Sequence, residues 1–182
     1  MARQVFDFPE PERFVVGTVG MPGDRTFFLQ ARHANNVVSV VLEKQQVAAL
    51  ADRVEQILSV VEGTNVGFVR TIDDKPLELP IFEEFRVGTM ALGWDDDVHK
   101  VFIEAYAVSD DELPDMDVNE SEDEDESVDT LRVRLTPDQA RSFIQRARTL
   151  VESGRPACPF CGQPLDPSGH ICPRANGFKR RL

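Results

Sequence analysis

The sequence predicts an α+β fold in which a β-β-β-α unit occurs twice, the two copies forming an antiparallel sheet core with two amphipathic helices, followed by a cysteine-rich tail. Three observations predict it. An aromatic residue just ahead of Val-Gly-Thr occurs at Phe14, Val16, Gly17 and Thr18 in "RFVVGTVG", and again at Phe85, Val87, Gly88 and Thr89 in "EFRVGTMALG". Each occurrence is followed by two further apolar runs separated by turn residues. Each copy then closes on a segment whose apolar residues recur at helical spacing.

The first copy spans about 13–63. Its opening run meets "MPGD", where Pro22 and Gly23 suit the central positions of a type II turn, and continues into "RTFFLQA" and then "VVSVVL" from Val37. Its helix places Val47, Leu50, Ala51, Val54, Ile57, Leu58 and Val61 on one face. The second copy spans about 84–154, with "WDDDVH" as the first turn, "KVFIEAYAV" as the second run and "DTLRVRL" from Asp129 as the third. Its helix puts Ala140, Phe143, Ile144, Ala147, Leu150 and Val151 at the same spacing, with Thr136 as N-cap, Pro137 at the first helical position, Gln139 closing a capping box and Gly154 as a stop. Residues 64–83, containing "DDKPLELP", join the copies and predict a short hairpin. Three strands and one helix bury little alone, so the copies are expected to share one core of about six strands with pseudo-twofold symmetry, making residues 1–154 one domain and 155–182 an appendage. Gly17 and Gly88 read as a bulge or close backbone packing more readily than as a binding groove.

Composition narrows the function classes. The 182-residue chain has a formal net charge of −12, yet twelve of its 32 acids fall between Asp110 and Asp129 with no Lys or Arg among them. Removing them leaves 20 acids against 20 bases. Such a stretch cannot offset its ordering entropy by burial and reads as a mobile acidic insertion. No apolar run approaches the ~20 residues of a membrane helix. The start "MARQVFDFPEPERF" lacks the features of a secretory signal, and three cysteines crowded at one end give no disulfide framework. The expected compartment is the cytoplasm.

The sequence offers little catalytic chemistry. His33 in "ARHANN" and His99 in "DDDVHK" fall at turns with no nucleophile beside them, and read as surface histidines. Asp95, Asp96 and Asp97 are consecutive acids in a turn, pointing in different directions rather than at one cation. Neither a G-x-x-x-x-G-K-[ST] loop nor a G-x-G-x-x-G after a strand occurs. No catalytic residue and no organic cofactor site is expected.

The tail carries the stronger signal. Cys158 and Cys161 are spaced C-x-x-C, and His170 and Cys172 follow across "QPLDPSG". Two cysteines on a knuckle, returned to by a histidine and a third cysteine, make the ligand set of a Cys3His structural zinc site with no position left for water. Few aliphatic residues lie between these ligands, so a metal is the expected source of order. A redox dithiol is the competing reading, because "CPFC" resembles disulfide-exchange motifs; such a motif opens a helix, whereas here it follows one. Iron is a further alternative to zinc. Beyond the ligands, Arg174, Lys179, Arg180 and Arg181 form a basic end without an acid, suited to contact a protein, phosphate, nucleic acid or the chain's own acidic insertion.

The segments "RQVFDFPEPERFVVGTVGMPGDRTFFLQA", "VVLEKQQVAALADRV", "LTPDQARSFIQRA" and "CPFCGQPLDPSGHICPRANG" together resemble a family of uncharacterised actinobacterial proteins that share a domain of unknown function. The resemblance runs over nearly the full length. It implies no established enzymatic activity, a zinc-ribbon-like ending whose ligands transfer to Cys158, Cys161, His170 and Cys172, and a ParA-type chromosome-partitioning ATPase as a partner class. The function expected is thus a non-enzymatic, zinc-stabilised adaptor or regulator acting by protein contacts. The alternatives are a nucleic-acid binder using the basic tail, and a small-molecule or phosphoester enzyme with a pocket between the repeats.

Overall fold

The structure, a computed structural model, describes residues 3–21, 23–63, 73–108, 128–153, 158–161, 172 and 174. Seven strands and two helices follow in the order β1 Val5–Phe8, β2 Arg13–Val19, β3 Thr26–His33, β4 Asn36–Leu42, α1 Lys44–Glu62, β5 Glu83–Asp95, β6 Lys100–Ala107, β7 Thr130–Leu135 and α2 Pro137–Glu152. The fold is α+β, and both predicted helices and all six predicted strands are present. The acidic stretch from 110 to 127 and Gly154 lie outside the described residues.

The sheet corrects the antiparallel expectation. Its order is β1-β7-β6-β5-β4-β3-β2, and it is mixed: β2-β3-β4 and β5-β6-β7 are antiparallel meanders, but β4 lies parallel to β5 and β1 parallel to β7. The parallel join at the centre arises because α1 and the residues after it carry the chain back across the sheet before β5 begins, as parallel neighbours require. β5 serves both halves. Its first residues pair with β4 through Ser39↔Glu83 and Val41↔Arg86, and Val87 to Asp95 pair with β6. The register shifts between Val87 and Thr89, so Gly88 sits at a bulge, where an added Cβ would stand 3.1 Å from Val108 Cα.

β1 is the seventh strand, and it bends the sheet. Phe8 and Arg13 are five residues apart, a reach of at most about 18 Å. β1 and β2 nevertheless occupy opposite edges of the sheet order, about 29 Å apart if seven strands lay flat at ~4.8 Å spacing. The sheet therefore curls until its edges approach, and the Pro9–Glu12 link seals the seam: Glu12 N–H donates to Arg32 O at 2.8 Å, His33 Nδ1 meets Glu10 O at 2.8 Å, and Lys100 Nζ donates to Pro9 O at 3.2 Å.

Both helices pack on the concave side, against each other and the strands. One apolar cluster includes Phe8, Phe14, Val40, Leu50, Ile103 and Phe143, all buried. Phe14 and Phe143 rings lie 5.1 Å apart, joining α2 to β2. On α1 the predicted face is buried at Val47, Leu50, Ala51, Val54 and Leu58 and partly buried at Ile57, while Val61 in the last turn is 40% exposed and departs from the prediction. The α2 start is as predicted: Gln139 N–H donates to Thr136 Oγ1 at 3.3 Å and Thr136 N–H to Gln139 Oε1 at 3.0 Å. At α1, Glu43 N–H donates to Gln46 Oε1 at 2.8 Å. Each of these glutamines also reaches across the fold, Gln46 to Val87 O at 3.1 Å and Gln139 to Pro11 O at 2.7 Å.

Of the joining segment, residues 64–72 lie outside the described residues, and residues 73–82 form no strand but lie as a strap over the other face of β2, β3 and β4. Gln30, 1% exposed, clasps the strap through both amide atoms, accepting from Glu78 N–H at 2.8 Å and donating to Glu78 O at 3.1 Å and Ser39 Oγ at 3.0 Å. Leu77 fills the space above Gly17, where a Cβ would come within 2.5 Å of Leu77 Cγ. That is the close packing expected of this glycine. A two-arginine clamp holds the strap's start. Arg13 grips Asp73 at 2.6 and 3.0 Å and also donates to Lys75 O at 2.9 Å, while Arg146 from α2 donates to Val16 O at 2.6 Å, Lys75 O at 2.8 Å and Asp73 O. The hydrogen bond from Arg13 outweighs the effect of burial and holds the Asp73 carboxyl below its ordinary value.

Two outcomes follow from the strap. Gly17→Ala is expected to cost about 1–3 kcal/mol in chemical denaturation, and the added Leu77→Ala change to cost less in that background than alone, because the two sites share one space. Asp73→Asn is expected to cost about 1–2 kcal/mol near neutral pH, reduced by solvent screening. Since the folded carboxyl titrates below its unfolded value, this contribution is present above the ordinary aspartate range and disappears as pH falls through the lowered value. Urea titrations of both proteins should converge in acid.

Candidate metal centre

Cys158 follows α2 by a few residues, and Pro159, Phe160 and Cys161 form a turn after it. The described residues of the motif thus form a turn. Cys158 and Cys172 are buried and Cys161 half-buried, all three as free thiols. Their sulfurs all lie within 4.8 Å of one another, and the Cys158 and Cys172 sulfurs are 3.8 Å apart. That is well beyond the ~2.05 Å of a disulfide. Burial pushes the Cys158 thiol up, but the Cys161 and Phe160 backbone N–H groups donate to its sulfur and, with the Cys161 and Cys172 thiols, hold it below its ordinary value. Oriented N–H groups of this kind favour the thiolate, the form that binds metals. The three cysteines can hold a metal ion, and they are the one such group of His, Cys, Asp or Glu among the described residues.

The chain matches the family described as "Protein of unknown function (DUF3090)" over residues 6–172. It belongs to that family. No curated protein and no solved structure matches it. Within this DUF3090 chain, His170, Lys179, Arg180 and Arg181 lie outside the described residues. Arg174 is exposed, and its Nη1 donates to Phe160 O at 3.3 Å, so the two ends of the cysteine cluster are tied by a contact that spacing alone did not suggest. Phe160 itself is 62% exposed.

The other singled-out residues are accounted for locally. His33 and His99 are exposed. Asp95 Oδ1 accepts from the N–H groups of Asp97 and Val98 at 3.1 and 3.3 Å, a turn-stabilising use of the first acid in the triplet. Glu104 on β6 is raised by burial, but the Tyr106 hydroxyl and Arg132 guanidinium, each at 2.5 Å, win and hold it below its ordinary value. No helix among the described residues is long and apolar enough to cross a membrane.

Proposed function

We propose that the protein is a non-enzymatic, zinc-stabilised adaptor of the cytoplasm, built on a duplicated β-β-β-α unit and acting through protein contacts made at its tail. The observation that carries the reading is the sulfur spacing. Zinc bound tetrahedrally to thiolates at ~2.3 Å sets neighbouring sulfurs about 3.8 Å apart, the separation of Cys158 and Cys172. His170 supplies the fourth ligand in this reading, and zinc is favoured over a redox dithiol because the motif occupies a turn.

The knuckle also displays what a partner could grip. Phe160 presents an exposed aromatic side chain while its backbone carbonyl holds Arg174, and both residue types are enriched at protein interfaces. With Lys179, Arg180 and Arg181 continuing the basic character, the partner surface is acidic with an apolar socket. A ParA-type ATPase is the partner class to test first.

The purified protein is expected to hold about one zinc per chain by elemental analysis, and Cys158→Ser to hold much less. In affinity capture from the native host, Phe160→Ala should keep the zinc and lose the partner that wild type retains. Zinc-free wild type, or the same partners captured by wild type, Cys158→Ser and Phe160→Ala, would refute the adaptor reading.

A further inference from the structure

The curl of the sheet brings two hairpin turns from opposite halves of the chain to one place. His33 and Asn36 at the β3–β4 turn and Asp95, Asp97, Val98 and Lys100 at the β5–β6 turn line a cleft of about 570 Å³ together with 7–10 from the seam and Arg134 from β7. The two non-glycine residues with left-handed backbone among those described, Ala34 at φ 50° and His99 at φ 52°, sit in these same two turns. Left-handed residues of this kind are what tight hairpin turns require, and they fix the path of the two turns beside the cleft.

Three residues on the cleft wall keep side-chain atoms without a protein hydrogen bond among the described residues. Arg134 is the first. Arg13, Arg32, Arg132 and Arg146 are each held by an acceptor within 3.0 Å, whereas the nearest acid recorded for Arg134 is Asp95, with Oδ2 3.6 Å from its Nε, and the side chain is 33% exposed. His33 is the second. A backbone carbonyl only accepts, so Nδ1 donates to Glu10 O, and Nε2 has no partner among the described residues. The third is the Asp97 carboxylate, whose residue is bonded only through its backbone N–H. Lys100 is occupied by Pro9 O and Glu10.

Charge then selects the ligand class. The lining holds the acids Asp7, Glu10, Asp95 and Asp97 against the bases Lys100 and Arg134. A simple anion enters against the excess of acid, and a simple cation leaves Arg134 with only its 3.6 Å ion pair to Asp95. A molecule carrying both charges satisfies both. We infer that this cleft binds a zwitterionic small molecule of the α-amino-acid type, its carboxylate on Arg134, its ammonium on the Asp97 carboxylate, and its apolar part against Val98. The guanidinium fork matches a carboxylate with two parallel hydrogen bonds. The inference is independent of the metal centre and of the adaptor reading.

The test is titration of the full-length protein with each of the twenty L-α-amino acids, read by amide shifts in residues 95–100 and by isothermal calorimetry. For each that binds, the deaminated acid and the decarboxylated amine are titrated in turn. At least one amino acid is expected to bind, both truncated analogues to bind roughly tenfold or more weakly, and Arg134→Gln to weaken binding by a similar factor. Asp97→Asn provides a second variant, read in the same way, should Arg134→Gln fail to match the wild-type circular dichroism spectrum. Absence of binding by all twenty, binding that ignores loss of the amine or the carboxylate, or equal binding by the folded variants would overturn the inference.

Discussion

Pairing of the four-residue strand β1 with β7 is the constraint on which the rest of the molecule depends. β1 is tethered to β2 by only four residues, yet it adds to the far edge of the sheet. Two antiparallel meanders joined in parallel would otherwise form an open twisted sheet with two distant edges. Anchoring one edge beside the other wraps the strands around α1 and α2, so residues from both halves enter one apolar cluster. The same wrapping sets 33–36 beside 95–100, which is why a cleft exists between the halves.

The wrapped sheet has an outer face, and its two halves treat that face differently. Over the middle of β2, β3 and β4 the outer residues are buried, including the polar pair Gln30 and Ser39, and the strap supplies the hydrogen bonds that make this tolerable. Arg13 and Arg146 approach the strap from β2 and α2, so its position depends on elements far apart in the chain. Over β6 and β7 the outer face is a polar ladder in which Glu104 takes up Arg132 and Tyr106. Half the sheet is thus closed by a peptide segment, and half remains open to solvent beside the cleft.

Local chemistry was legible in the sequence, and non-local pairing was not. The α2 start was readable because Thr136, Pro137 and Gln139 act within one turn, and the cysteine cluster because C-x-x-C fixes two sulfurs within four residues. Gly17 and Gly88 were readable as tight spots, though not that Leu77 would fill the space at Gly17. β1 was missed because Pro9 and Pro11 crowd its end and its four residues acquire strand character only beside β7. The parallel joins were missed because which strands become neighbours depends on where the crossover lands, and no residue announces that. The cleft was invisible for a similar reason. His33, Asp97 and Arg134 are ordinary surface residues until the sheet curls, and the left-handed backbone of His99 leaves no mark on composition.

The seam between the two sheet edges is the most direct place to test this account. Lys100 Nζ lies 3.0 Å from Glu10 Oε1 across that seam, within reach of zero-length carbodiimide coupling. Peptide mass spectrometry of the coupled, monomeric protein should recover the N-terminal segment joined through Glu10 to Lys100 on β6, and Glu10→Gln should abolish that product. Recovery of Lys100 coupled only to acids of its own turn, with Glu10 unmodified by Lys100, would show that β1 does not close the sheet and would contradict the fold described.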